Sequence, residues 1–91
     1  MTLSLDGRRA RGTIEMDDPV AACREDVLVR IRRKTAGRFR TIATVRTDDA
    51  ARYEARIGKR KGTFRAVIRK QTLANGEVCD RDVSPKRRRP Q

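Results

Sequence analysis

Ninety-one residues limit the chain to one domain with a modest core, and only 36% of them are hydrophobic against 40% charged. The 24 Lys and Arg outweigh 12 Asp and Glu for a formal +12, and the lack of histidine removes the usual general base and the commonest metal ligand. No apolar run approaches the roughly 20 residues of a membrane-spanning helix, so membrane insertion is not expected. Residues 1–7 lack the basic start and apolar stretch of a signal peptide, which by itself implies a cytoplasmic protein.

In chain order, residues 2–5 alternate and predict a short edge strand with Leu3 and Leu5 facing inward. After the turn signal Gly7-Arg8-Arg9, residues 10–16 predict a second strand with Ile14 and Met16 inward. Asp17-Asp18-Pro19 ends it, since proline donates to no ladder and Asp favours local turns. Residues 20–25 hold Cys23 in a loop or in a short helical turn capped by Asp18.

Residues 26–33 form the clearest strand, with Val27, Val29 and Ile31 on one face and Leu28, Arg30 and Arg32 on the other. Lys34-Thr35-Ala36-Gly37 predicts a hairpin loop in which Gly37 takes a positive φ. Residues 38–47 have a conflict of phase. Phe39, Thr41, Ala43 and Val45 share one face and Ile42 falls on the other, unless a bulge brings Phe39 and Ile42 to the same side.

Beyond the turn at residues 47–51, residues 52–57 place Tyr53, Ala55 and Ile57 inward. Gly58-Lys59-Arg60-Lys61-Gly62 reads as a basic hairpin loop, because it lacks the spacing of a phosphate-binding P-loop. Residues 63–70 point Phe64, Ala66 and Ile68 inward, and Asn75-Gly76 is a strong turn signal. Residues 77–83 make a last strand carrying Val78 and Cys79, and residues 86–91 a basic, disordered tail beyond a domain spanning residues 1–85. About seven short strands with turn signals roughly every 8–12 residues predict an all-β fold, an antiparallel β-sandwich.

No nucleophile, base and stabiliser can be assembled from these residues, so no catalytic residue, cofactor or metal ligand is expected. Asp17-Asp18 and Asp48-Asp49 suit calcium in ligand type only. They lack EF-hand spacing, and turn formation accounts for them. The basic excess has two readings. One is a solvated outer surface, favoured because the cations are spread over every strand. The other is a polyanion-binding surface using Arg30, Arg32, Arg38 and Arg40, with the loop Lys59, Arg60 and Lys61 and the tail Lys86, Arg87, Arg88 and Arg89. Tyr53 and Phe64 run in phase with aliphatic neighbours and are expected in the core, and Phe39 in the core or at an inter-sheet edge.

Several motifs together resemble the small immunoglobulin-like, fibronectin-type-III-like repeats of secreted and surface proteins of actinobacteria. They are Cys23 before the 27–33 strand, Gly37-Arg38-Phe39-Arg40-Thr41, Thr47-Asp48 before Tyr53, Gly62-Thr63-Phe64-Arg65 and Asn75-Gly76-Glu77-Val78-Cys79. The resemblance covers roughly residues 12–85, and Phe39 stands where such repeats commonly have Trp. Ala50-Ala51 replaces a usual Gly before Tyr53, where an Ala resists positive φ. It implies an immunoglobulin-like, non-enzymatic module at the cell surface or outside the cell. Its partners would be neighbouring domains of a longer protein or anionic polymers.

A cross-link would help so small a core. A sandwich can bring Cys23 and Cys79 together, and a disulfide between them is expected in an oxidising compartment. Free thiols would instead indicate a cytosolic domain that binds nucleic acid or another polyanion.

Overall fold

A computed structural model of the chain describes residues 1–14 and 23–89. Among them the regular elements are all strands: β1 (Ser4–Asp6), β2 (Arg9–Thr13), β3 (Leu28–Thr35), β4 (Arg38–Arg46), β5 (Arg52–Arg56), β6 (Gly62–Ile68), β7 (Gln71–Thr72), β8 (Val78–Cys79), β9 (Asp82–Val83) and β10 (Arg87–Arg89). The fold is therefore all-β, and every strand pair is antiparallel. The expected turn at Asp17-Asp18-Pro19, the inward Met16 and residues 20–22 lie outside the described residues.

Two sheets enclose one core. A three-stranded sheet runs β1-β2-β5, a five-stranded one runs β10-β6-β3-β4 with β9 also on β6, and β7-β8 is a separate hairpin. The first sheet supplies Leu3, Ala10, Ile14, Tyr53, Ala55 and Ile57 to the core; the second supplies Val27, Val29, Ile31, Phe64, Ala66 and Ile68. All are buried, Ala10 among the inward positions that alternation marks, while Leu5, also expected inward, is only partly buried against the core.

A bulge resolves the conflict of phase in β4. Ile31 pairs with Ala43 while Arg32 pairs with Thr41, so Ile42 is the extra residue. It does not unite Phe39 with Ile42. Ile42, Ala43 and Val45 pack on the core, and Phe39 and Thr41 fall on the outer face opposite Lys34 and Arg32.

The β3–β4 loop is shorter than expected, since Thr35 pairs with Arg38 and only Ala36 and Gly37 remain. Both have positive φ, 50° and 78°, as a type I′ hairpin turn requires. Before Tyr53 the tight turn survives with Ala51 itself at φ 60°. Its geometry is held by Asp48, whose carboxylate accepts the backbone N–H groups of Ala50 and Arg52 at 2.9 Å each.

Three other expectations are corrected. The basic Gly58–Gly62 stretch is no hairpin loop, because β5 pairs in the three-stranded sheet and β6 in the five-stranded one, so the loop crosses between them. The single strand expected over residues 77–83 is split: β8 pairs with β7, and β9 pairs with β6. The stretch expected as a disordered tail forms β10 along β6, Arg87 opposite Phe64 and Arg89 opposite Gly62. Val83 pairs with Val67 and Arg87 with Phe64, so the register slips by one residue beside Pro85. An edge strand broken at a proline is where proline is tolerated.

Candidate functional site

The outer face of the five-stranded sheet is built by the period-two alternation of β3. With Val29 and Ile31 committed to the core, Arg30, Arg32 and Lys34 must project from the opposite side, about 6.7 Å apart. Pairing then adds to them. Arg65 of β6 lies opposite Arg32, Arg88 of β10 opposite Thr63, and Phe39 of β4 opposite Lys34.

Phe39 is the pivot of this face rather than a core residue. The Arg65 guanidinium lies 4.0 Å from the ring centroid and the Lys86 ammonium 5.8 Å from it. Arg32 donates through Nη2 to the Phe39 carbonyl at 2.9 Å. Cations favour the negative face of an aromatic ring, and a stacked guanidinium keeps its edge N–H groups free to donate. The Nε groups of Arg32 and Arg65 are buried and have no hydrogen-bond partner among the described residues.

Charge divides unevenly between the two sheets. On the three-stranded one, Arg9 and Arg11 meet Glu54 at 3.0 and 3.3 Å and Arg11 meets Asp6 at 3.2 Å. Beside them Arg52 meets Asp48 at 3.5 Å. Such exposed pairs stabilise the fold little, about 0–1 kcal/mol each, but they neutralise that side locally. No strand residue on the outer face of β3, β4, β6, β9 and β10 is acidic. Among the described residues Arg30, Arg32, Lys34, Arg65, Lys86 and Arg88 have no ion pair; the face's only one is Arg46 with Asp26 at its corner, 3.8 Å apart.

The residues expected to bind a polyanion are thus sorted by the fold. Arg30, Arg32, Lys86 and Arg88 come together. Arg38 and Arg40 take the other parity of β4, paired with Thr35 and Arg33, and remain exposed. Arg60, Arg87 and Arg89 are occupied by backbone carbonyls, those of Ile57 at 2.9 Å, Leu3 at 3.0 Å and Gly58 at 2.9 Å. Lys59 and Lys61 are exposed on the crossing loop, which Arg33 ties down by donating to the Lys61 carbonyl at 2.7 Å. Sequence reasoning missed Arg65 and Lys34. The alternation Phe64-Arg65-Ala66 already placed Arg65 outward, but its neighbours come from strand pairing.

Compared with known proteins, the chain matches no family model, no curated protein and no solved structure. The geometry alone therefore carries the reading.

The remaining candidates have structural tasks. Tyr53 is buried and donates its hydroxyl to the Thr2 carbonyl; burial, with the charge of Asp82, pushes that hydroxyl above its ordinary range. Asp48 is held below the usual carboxylate range by the Arg52 and Ala50 N–H groups of its own turn, so its Oδ1 is already engaged. Among the described residues no group of three His, Cys, Asp or Glu converges for a metal.

At one end of the sandwich Cys23 and Cys79 are joined by a disulfide, their Cα atoms 5.5 Å apart. Both are buried, and no free cysteine remains. Beside it the Thr47 hydroxyl accepts from Val27 N at 2.9 Å and donates to the Arg24 carbonyl at 2.7 Å, fixing the approach to β3.

Proposed function

We propose that this chain is a non-enzymatic, immunoglobulin-like module of an oxidising, extracellular setting with a structural or attachment role. The observation that carries the reading is the Cys23–Cys79 bridge, because structural disulfides persist where thiols are not kept reduced. Strand order supports the immunoglobulin-like part. Sandwiches of that type put the first, second and fifth strands on one sheet and the third, sixth and last on the other. Here β1, β2 and β5 share one sheet and β3, β6 and β10 the other, with β4 added beside β3. A module of this kind holds neighbouring domains of a longer surface protein or attaches to an anionic polymer.

The test is alkylation of the unreduced protein, recovered separately from the cytosol and from the secreted or surface fraction of its source cells, followed by mass spectrometry. The expected result is recovery outside the cytosol with no label, and two labels after reduction. Recovery from the cytosol with both thiols labelled would replace this reading by that of a cytosolic polyanion binder.

A further inference from the structure

We propose that the outer face of the β10-β6-β3-β4 sheet binds the phosphate backbone of double-stranded nucleic acid without reading its bases. The inference goes beyond the module reading and does not depend on it, since it rests on charge geometry rather than on the disulfide.

The face carries six cations without an ion pair among the described residues, Arg30, Arg32, Lys34, Arg65, Lys86 and Arg88. They are laid out on a grid set by the sheet, about 6.7 Å along a strand and 4.8 Å between strands. Four of the six are arginines, whose planar forks suit bidentate contacts with phosphate. Two of those forks are held half-buried around Phe39 with a buried Nε lacking a partner. Held that way, the two forks lose less side-chain freedom when their terminal N–H groups meet a phosphate.

The occupant follows from what the face lacks as well as what it offers. A single strand binds sheet faces largely by stacking its bases on open aromatic rings. Phe39, the aromatic on this face, is already covered by Arg65 at 4.0 Å. The pairing therefore favours a ligand whose charge is dense and whose bases are already stacked among themselves. A duplex offers one negative charge per about 1.7 Å of axis. Contacts confined to phosphate confer position and affinity but no sequence preference.

The experiment is fluorescence anisotropy of a labelled 20-base-pair duplex against the whole, disulfide-bonded chain across a salt series. Two variants that lose the same charge are compared. Arg30→Gln with Arg88→Gln removes two cations from the face, and Arg8→Gln with Arg56→Gln removes two from the other side of the molecule. Melting curves establish that both remain folded. The expected Kd is on the order of micromolar at low salt, and the association constant should fall with salt at a log–log slope of about −4 to −5 if most of the six cations meet phosphates. The face variant should bind at least tenfold more weakly and lose about two units of slope, the control variant severalfold at most. Equal losses in the two variants would overturn the proposal in favour of bulk charge. Tighter binding of a single strand of the same length would overturn it in favour of base stacking, and heparin binding without duplex binding in favour of a sulfated polymer.

Discussion

The Arg87 guanidinium donates through Nε to the carbonyl of Leu3, 3.0 Å away, so the last strand of the chain is clamped to the residue before the first. The contact joins the two sheets at the edge where β1 approaches β10. It gives the basic C-terminal stretch a structural task that composition does not suggest.

Deleting residues 86–91 should accordingly destabilise the domain. The deletion removes the β10–β6 pairing and the bonds from Arg87 and Arg89 to the Leu3 and Gly58 carbonyls. At about 0.5–1.5 kcal/mol net per hydrogen bond the expected loss is at least about 2 kcal/mol, which lowers Tm by roughly 10 °C in a domain of this size. Thermal unfolding by circular dichroism checks it, and an unchanged Tm would show that the strand contributes nothing.

Cys79→Ser should cost more. The β7–β8 hairpin pairs with no other strand among the described residues, and an isolated two-stranded hairpin is marginal. The bridge to Cys23 closes a loop of 56 residues, worth about 4 kcal/mol in the chain-entropy account. Against a total stability on the order of 5 kcal/mol, the variant should be largely unfolded at physiological temperature. Reductant should reproduce the effect in the parent chain, measured by urea titration with and without it.

Gly12→Ala tests a close approach rather than a turn. Gly12 pairs with Tyr53, whose hydroxyl reaches past it to the Thr2 carbonyl. A Cβ at residue 12 would lie 2.6 Å from that hydroxyl and closer still to the carbonyl. Something must move, at a cost of about 2 kcal/mol. Tyr53→Phe, which loses only the hydrogen bond, should cost about 1 kcal/mol. Equal midpoints for Gly12→Ala and the parent in a denaturant titration would refute the steric account.

Ala36→Asn should stabilise the chain. Ala36 sits exposed at φ 50° in the two-residue β3–β4 turn, and the left-handed region costs a residue with a Cβ about 1–2 kcal/mol. Asn is the residue such turns prefer at that place. A gain of about 1 kcal/mol in midpoint stability is expected. Ala51→Gly, at a similar φ of 60°, should gain less because the Ala51 methyl packs on the core.

The strand runs of this chain declare which side of each is buried, because apolar residues at every second position commit alternate side chains to opposite faces. Leu3, Val27, Val29, Ile31, Tyr53, Ala55, Ile57, Phe64, Ala66 and Ile68 were legible in this way, and all of them are core. The Cys23–Cys79 bridge was legible by another route, as the chain's two cysteines in a domain with a small core. The phase of β4 was not: the single residue Ile42 shifts the register, and whether a bulge forms depends on what the partner strand offers.

What the sequence by itself determined is local: the alternation, the turns, and an outward place for Arg30, Arg32 and Arg65. Along the chain the cations look evenly spread, because parity within one strand carries no information about which strand lies beside it. Only the tertiary structure decided that Arg32 faces Arg65 and that Phe39 lies beneath that arginine. It likewise decided that Glu54 answers Arg9 and Arg11 across the other sheet. Those pairings join residues 43 and 45 positions apart in one case and 33 in the other. They are chosen by burying two apolar faces against each other, and the charge pattern of each outer surface follows from that choice.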